Sequence, residues 1–179
     1  FPNGSEGMAL NLDRTRVDLI MLGSETGIRG GDLVQSTGNR LKVPVGSQLL
    51  GRIVDPLGNP LDRDESIEAS DFRFFSKIAP GVIKRAPVNE PLFTGTKAID
   101  ALFPIGRGQR ELILGDRQTG KTTIAVDAIL SQANSDVRCI YVAIGQKKSS
   151  TLSVVETIRK HGVLSNTAII LSSPDDQPA

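Results

Sequence analysis

The residues best suited to chemistry form one short segment, GDRQTGKT, at residues 115–122. An apolar run at 111–114 precedes this segment and is predicted to be a strand. A helical pattern follows, with Ile124, Ala125, Ala128 and Ile129 on one face. Strand, G-x-x-x-x-G-K-[ST] and helix in this order are the context of a phosphate-binding loop. The sequence therefore predicts a phosphate site at this loop.

Each residue type in the loop has a physical reason to be there. Glycines let the chain curl so that successive backbone N–H groups point inward at an anion. A helix that starts near Gly120 adds unpaired N–H groups and the positive end of its dipole. Lys121 would place its charge on the terminal phosphates, and the Thr122 hydroxyl is an oxygen ligand suited to magnesium. The predicted binding residues are Gly115, Asp116, Arg117, Gln118, Thr119, Gly120, Lys121, Thr122 and Thr123, with Thr122 as the metal ligand.

Composition excludes several classes of protein. With 21 basic and 20 acidic residues, no Trp and one Tyr, the chain lacks the charge and the stacking platforms of a nucleic-acid binder. Its single cysteine, Cys139, lies in an apolar run and is interpreted as a buried strand thiol, which excludes a disulfide framework. No run approaches the ~20 apolar residues of a membrane span, and no secretory or transit signal is visible. Because the chain begins at Phe1, we expect a processed product or a piece of a longer protein.

The N-terminal third is predicted to be all-β. Residues 8–12 and 17–22 are short apolar or alternating runs separated by glycine-containing turns, a spacing that suits a small barrel or sandwich. Another apolar run, 48–54, ends in a dense turn at 55–60, where two prolines and a glycine set the backbone. We predict one domain at 1–42 and a second at 43–179.

The C-terminal part is predicted to be α/β. Residues 137–145 form a continuous apolar run, which is typical of a parallel strand covered on both faces. A helix capped by Ser149 or Ser150 is expected to follow, and residues 167–171 form a further strand. Alternation of strands and helices predicts a parallel sheet with right-handed crossovers.

Helix ends and caps give two further expectations. The helix after residue 148 has inward positions at Leu152, Val155 and Ile158, and it ends in Lys160-His161-Gly162, so the only histidine is interpreted as a helix-end residue rather than a ligand. Residues 61–92 contain several prolines and are predicted to be an extended crossing segment. Thr94 or Thr96 is expected to cap a short helix that ends near Leu102.

The acid that normally holds magnesium through water in P-loop NTPases is not found after any predicted strand. Asp175 and Asp176 follow the last strand but stand between prolines, and we interpret them as part of a loop. We attribute the missing acid to a sequence that stops before it.

Several further motifs occur in a fixed order along the chain: DPLGNPLD at 55–62, PGVI at 80–83, PIGRGQRE at 104–111, GDRQTGKT at 115–122 and YVAIGQK at 141–147. Together they resemble the α subunits of the rotary F-type ATP synthases over nearly the whole chain. The resemblance implies that the first ~40 residues are part of an N-terminal β-barrel. It implies that the rest is the first half of a RecA-like P-loop nucleotide-binding domain, a truncated parallel sheet in an α/β fold.

The resemblance also implies partners and a location. In that family, α subunits bind ATP with Mg2+ and alternate with catalytic β subunits in a hexameric ring. The ring surrounds a central rotor stalk, is held by peripheral stalk subunits, and couples proton transport to ATP synthesis. The chain would then be peripheral on an energy-transducing membrane: a bacterial plasma membrane, a mitochondrial inner membrane or a thylakoid. No nucleic-acid partner is implied.

Gln146 separates a catalytic from a non-catalytic reading of this resemblance. Catalytic subunits of the family carry an acidic residue after the strand that follows the P-loop helix, whereas this chain has Gln146 there. An amide cannot accept a proton near neutral pH, and general-base assistance typically contributes ~10²–10⁴-fold. The resemblance therefore predicts a non-catalytic subunit that binds ATP without hydrolysing it, with Arg117 and Gln118 able to grip phosphate oxygens. The arginine finger that the family's α subunits contribute to the catalytic site is not among these residues.

Three alternatives stay open at the level of sequence. An autonomous hexameric P-loop ATPase motor is disfavoured by Gln146 and by the loop filling at 116–119. A small-molecule kinase or GTPase is disfavoured by the β-rich N-terminal segment and by the lack of an evident guanine-recognition motif. A fragment that no longer binds nucleotide fits the same strand pattern.

Overall fold

The computed structural model describes residues 1–63 and 65–172. In these residues it contains β-strands and α-helices with the following bounds: β1 Gly7–Leu12, β2 Val17–Met21, β3 Lys42–Val45, β4 Ile53–Val54, β5 Asp71–Phe74, β6 Pro91–Leu92, α1 Lys97–Leu102, β7 Ile105–Gly106, α2 Lys121–Leu130, β8 Cys139–Ile144, α3 Lys148–Lys160 and β9 Thr167–Ser172. No helix in the described residues is long and apolar enough to span a bilayer.

The N-terminal third consists of β-strands and turns, as predicted. Strands β1 and β2 pair antiparallel, and a register irregularity falls between Ala9 and Asn11. Strands β3 and β5 form a second antiparallel pair. The charged groups of Lys42, in β3, and of Arg40, just before it, lie about 5 Å from the ring of Phe74 in β5. A boundary between residues 42 and 43 stays a prediction, as does closure of these strands into a barrel.

The centre of the fold is a three-stranded parallel sheet in the order β4-β9-β8. In its register Cys139 pairs with Thr167 and Ile53 pairs with Ile169. The predicted α/β class and the parallel pairing are thereby confirmed. Strand β4 was not expected in this sheet, because a two-residue pairing over a separation of more than 100 positions leaves no local pattern.

The hydrophobic core lies between one face of this sheet and the helices. Helix α3 contributes Val155 and Ile158, which pack with Tyr141 and Ala143 of β8 and Ile169 of β9. Half-buried residues of α2 complete the cluster, among them Ile129 and Leu130. Leu152 was predicted to face this core but is exposed, because the core-facing stripe of α3 passes through Thr151, Val155 and Ile158.

The prediction that β8 is covered on both faces is wrong for the described residues. Tyr141 and Ala143 face the helices, whereas Ile140, Val142 and Ile144 point the other way and are exposed. Side chains alternate between faces along a strand, so a continuous apolar run is buried throughout only when elements cover both faces. Both α2 and α3 contribute to the cluster that contains Tyr141 and Ala143.

The predicted strand at 111–114 is also not formed. These residues have no regular secondary structure, and Leu112 and Leu114 are 79% and 80% exposed. A strand requires a hydrogen-bonded neighbour, and none of the strands in residues 1–63 and 65–172 pairs with this run. The apolar run therefore enters the loop at 115–120 as an exposed extended segment.

The dense turn at 55–60 is formed as predicted and is closed by its own side chains. The carboxylate of Asp55 accepts hydrogen bonds from the backbone N–H groups of Leu57 and Asn59, at 2.9 and 2.7 Å. Beyond the turn, Leu61 N donates to Ile53 O at 2.8 Å. The turn thus returns the chain alongside β4, at the edge of the parallel sheet.

An ion pair between Arg52 and Asp62 joins the two sides of this turn. The guanidinium of Arg52 donates to both carboxylate oxygens of Asp62 at 3.1–3.2 Å, and the two side chains are only 14% and 9% exposed. Burial raises the pKa of Asp62, but hydrogen bonds from Arg52 and from the backbone of Ile53 outweigh it and lower the pKa below its ordinary value. Charged, bidentate hydrogen bonds of this kind are the stronger class.

Asp62→Asn is expected to lower the free energy of unfolding by about 1–3 kcal/mol, since it weakens the acceptor for Arg52. Because the folded pKa of Asp62 is depressed, its contribution is present above the unfolded pKa of about 3.9 and is lost as the pH falls through the folded pKa. Chemical denaturation should therefore show that the free energy of unfolding of the wild-type chain falls between pH 7 and pH 2, and that this fall is smaller in Asp62→Asn. The exposed Glu156→Gln is the control, and an equal change in both variants would contradict the assignment.

Candidate phosphate-binding site

The predicted loop leads directly into a helix, as the motif requires. Gly120 has φ 87° in the left-handed region and is the N-cap of α2. The first hydrogen bond of the helix runs from Ile124 N to Gly120 O, at 3.1 Å. The N–H groups of Lys121, Thr122 and Thr123 precede this bond, so they belong to the unpaired donors of the first turn. Helix α2 thus presents three backbone donors and its positive end beside the loop.

Lys121 reaches back over the loop rather than out into solvent. Its Nζ donates to the carbonyl oxygen of Gly115 at 2.6 Å and to that of Asp116, and it lies 3.4 Å from Thr119 Oγ1. The ammonium is therefore held at the opening of the loop by neutral acceptors. Because a charged acceptor forms stronger hydrogen bonds than a neutral carbonyl, a phosphate at this position would compete well for the same ammonium.

Internal contacts of the loop restrict its side chains. Thr119 Oγ1 donates to Asp116 O at 2.8 Å. A Cβ on Gly115 would lie 2.7 Å from that hydroxyl, so a side chain at this position would require Thr119 to shift. Gln118 has φ 62°, the one non-glycine positive φ in the described residues, and this conformation costs about 1–2 kcal/mol. Strain of this type is concentrated at functional sites.

The nine predicted site residues are contiguous and lie together. Those from Gly115 to Gly120 are exposed in the loop, and Thr122 and Thr123 are exposed on the first turn of α2. Their roles in binding, including Thr122 as a metal ligand, stay predictions. In the described part of the chain no group of three or more His, Cys, Asp or Glu residues is arranged to hold a metal ion. Asp175 and Asp176 lie outside the described residues.

Gln146 follows the end of β8. Gly145, with φ 64°, turns the chain there, and its N–H donates to Ser172 O at 2.9 Å. Burial raises the pKa of Tyr141, and a side-chain hydrogen bond from Gln146 offsets this only in part. The amide of Gln146 therefore lies near the Tyr141 hydroxyl. Helix α3 begins soon afterwards at Lys148. Its N-cap is Lys147, so the predicted cap at Ser149 or Ser150 is wrong and both serines lie within the first turn.

His161 is a helix-end residue, as predicted. It is the C-cap of α3, its Nδ1 lies 2.8 Å from Thr157 O, and Gly162 follows with φ 74°. The predicted cap of α1 is found at Thr96, although its side chain forms no capping hydrogen bond. Thr94 instead bonds Asp100, as described below. Sequence patterns missed this contact, and they missed the buried Gln132 near the end of α2, because both depend on partners from other elements.

Gly120→Ala is expected to lower the free energy of unfolding by about 1–2 kcal/mol, because alanine would be forced into the left-handed region at the N-cap of α2. Space is not the cause, since a Cβ at Gly120 meets nothing within 4 Å. Gly81→Ala is the matched control: its site is equally open and its φ is −64°, which alanine adopts readily. Urea unfolding of both variants tests this, and equal stabilities would contradict it.

Comparison with known proteins gives a consistent result. Residues 95–179 match the family model described as the ATP synthase alpha/beta family, nucleotide-binding domain. The chain is 54% identical to ATP synthase subunit alpha of Aquifex aeolicus (strain VF5) over 176 residues, which cover 98% of this chain and 35% of that protein. It is 51% identical to the subunit alpha of Sulfurovum sp. (strain NBC37-1) over 179 residues, covering 100% and 36%.

A third relative is the ATP synthase subunit alpha of Streptococcus pneumoniae (strain Hungary19A-6), which is 57% identical over 173 residues, covering 97% of this chain and 34% of that protein. The chain thus spans about a third of the length of the curated relatives it matches. High identity extends over almost all of its residues, including those before the segment that the family model matches. The chain therefore belongs to the ATP synthase alpha/beta family.

Proposed function

We propose that this chain binds Mg-ATP through residues 115–123 and acts as the non-catalytic, structural and regulatory α subunit of a proton-translocating F-type ATP synthase. The observation that carries the non-catalytic part is Gln146, an amide after β8 where a hydrolytic site needs an acid. A carboxamide has no group that can take a proton from water near neutral pH.

Phosphate binding is supported by three features of the loop. The first turn of α2 offers unpaired N–H donors, Lys121 holds its ammonium at the loop opening, and a Cβ on Gly115 would require Thr119 to shift. Backbone donors, a helix N-terminus and a point charge together suit a polyphosphate. Arg117 and Gln118 are exposed on the same loop and are available for phosphate oxygens.

Magnesium would be held by the Thr122 hydroxyl, on the exposed first turn of α2. Magnesium prefers oxygen ligands and usually keeps several waters, so one protein hydroxyl together with phosphate oxygens is an adequate set. When bound, the ion neutralises phosphate charge, while Lys121 and the α2 N–H groups orient the nucleotide.

The wider assignment follows from the relatives, which are named ATP synthase subunit alpha. Residues 1–42 would be part of the N-terminal β-barrel, and residues 43–179 would be part of a RecA-like domain. The subunit would alternate with β subunits around a central rotor stalk, contact peripheral stalk subunits, and be peripheral on an energy-transducing membrane. The exposed apolar residues Leu112, Leu114, Ile140, Val142 and Ile144 support burial against further polypeptide in such an assembly.

A binding and turnover experiment tests the proposal. Calorimetry and a phosphate-release assay would be run on the chain alone and in the assembled hexamer. Mg-ATP should bind without measurable release at this site. Gln146→Glu should retain binding and raise release by up to about 100-fold, since it supplies a base. Gln35→Glu, an equal change of charge at an exposed residue, should leave release unchanged. Steady turnover by the isolated wild-type chain would contradict the proposal and favour an autonomous ATPase.

A further inference from the structure

A buried polar network lies near the C-terminal end of α2, at the opposite end of the helix from the loop at 115–120. Gln132 is 7% exposed and follows the last turn of the helix. Its Nε2 donates to Phe93 O at 2.7 Å and to Ala128 O at 3.1 Å, while its Oε1 accepts from Ser135 Oγ at 3.1 Å. Both ends of the amide are therefore occupied, and the bond to Phe93 joins residues 39 positions apart in the chain.

The loop that receives this bond is held by several hydrogen bonds of its own. The carboxylate of Asp100 accepts from Thr94 N at 2.9 Å, from Thr94 Oγ1 at 2.7 Å and from Gly95 N at 3.0 Å. Thr94 is 3% exposed. Gly95 has φ 80°, and a Cβ added there would lie 3.1 Å from the side chain of Ser131, so the two segments are in close contact. The loop between β6 and α1 is thus shaped by Asp100 and pressed against the residues that follow α2.

A second contact joins the same two parts of the molecule. Arg107 follows β7, and its N–H donates to Glu90 O at 2.8 Å, which extends the antiparallel pairing of β6 with β7. Residues 90–107, which comprise these two strands and α1 between them, are named the β6–β7 hairpin. The guanidinium of Arg107 lies 3.7 Å from Glu90 Oε2 and 3.5 Å from Asp136 Oδ1. The hairpin is therefore tied to the segment after α2 at two points, through Gln132 and through Arg107.

The phosphate-binding loop is the remaining connection between the hairpin and α2. The chain leaves the hairpin at Arg107 and enters α2 at Lys121, and residues 107–120 are exposed and contain no strand or helix. Fixing the two ends of such a segment limits the conformations that it can adopt, in addition to the few contacts within the loop itself. One end is the hairpin and the other is α2, so the contacts of Gln132 and Arg107 determine the span that the loop must bridge.

We propose that Gln132 is a positioning residue for nucleotide binding: its bond to Phe93 fixes α2 against the β6–β7 hairpin and thereby fixes the shape of the loop at 115–120. The inference rests on the proposed function, since it names a residue that supports that same site. Gln132 does not itself lie among the predicted binding residues.

Gln132→Met tests the proposal, because methionine has a similar length but cannot form the hydrogen bonds. The Kd for Mg-ATP, measured both on the chain alone and in the assembled hexamer, should rise about tenfold. The matched control is Asn166→Leu. Asn166 is also a partly buried amide that donates to backbone carbonyls, those of Val137 at 3.0 Å and Ser135 at 3.4 Å, but it does not bond the hairpin. Asn166→Leu should lower the melting temperature about as much as Gln132→Met does, but it should change the Kd for Mg-ATP by less than about twofold.

Hydrogen exchange supplies a readout that needs no nucleotide. The hydrogen-bonded amides of residues 107–120, Arg107 N to Glu90 O and Gln109 N to Gly106 O, should exchange several-fold faster in Gln132→Met, with β8 and β9 unchanged. Asn166→Leu should leave these two amides as in the wild type. If Gln132→Met does not fold, Arg107→Gln replaces it, with a smaller change in the same direction. Failure of the wild-type chain to bind Mg-ATP would refute the proposed function, and the exchange data would still decide whether Gln132 orders the loop. Equal effects of the Gln132 and Asn166 variants, or unchanged exchange at 107–120, would overturn the positioning role.

Discussion

Lys121→Ala is expected to weaken Mg-ATP binding by about 100-fold, the largest effect of any single change at the loop. A hydrogen bond to a charged group typically contributes about 1.5–3 kcal/mol, and each 1.4 kcal/mol is tenfold in affinity. The ammonium already lies within 2.6 Å of Gly115 O, at the opening where terminal phosphates would bind. Isothermal calorimetry with Mg-ATP measures the change.

Lys160→Ala is the control for net charge. Lys160 is exposed in the last turn of α3, and its replacement removes the same charge without touching the loop. Its Kd for Mg-ATP should stay within about twofold of the wild type, because separate surface charges are largely screened at ordinary salt. Equal weakening by both substitutions would mean that general electrostatic attraction, rather than a built phosphate site, accounts for binding.

The contrast between Lys121 and Gln146 separates binding from chemistry. Lys121 and the first turn of α2 can hold phosphates by charge and backbone donors, and neither role requires a proton acceptor. Hydrolysis requires water to be activated, and the residue after β8 that could do this is the amide Gln146, which cannot accept the proton. We expect a chain with the first feature and without the second to retain its nucleotide, which would then contribute to stability rather than to turnover. A ligand at 100 times its Kd stabilises the folded state by ~2.7 kcal/mol.

The sequence predicted those elements whose signals are local. Helix α2, strand β8, helix α3 and strand β9 each carry an apolar period or run within one segment, and all four are formed. The loop at 115–120 was predictable for the same reason, because its residues are contiguous and their types are dictated by backbone curvature and charge. The glycine at 120 shows this directly, with its left-handed φ at the helix N-cap.

Features that depend on distant partners could not be predicted in this way. The run at 111–114 is apolar enough for a strand, but a strand also needs a neighbour, and the described residues supply none. Strand β4 enters the sheet through a two-residue pairing with β9, which no periodicity signals. Gln132 looks like an ordinary polar residue at the end of a helix until the carbonyl of Phe93 is placed beside it. Long-range geometry, rather than residue type, decides each of these cases.

Ile158→Ala is expected to lower the free energy of unfolding by about 2–5 kcal/mol. Ile158 is fully buried on α3, where it packs with Tyr141, Ile169 and their neighbours, so its truncation leaves a cavity between helix and sheet. Leu152→Ala is the matched control, since Leu152 lies on the same helix but is 56% exposed, and it should cost less than about 1 kcal/mol. Urea denaturation measures both. Because this one core holds α2 and α3 against β8 and β9, similar losses in the two variants would contradict the packing described here.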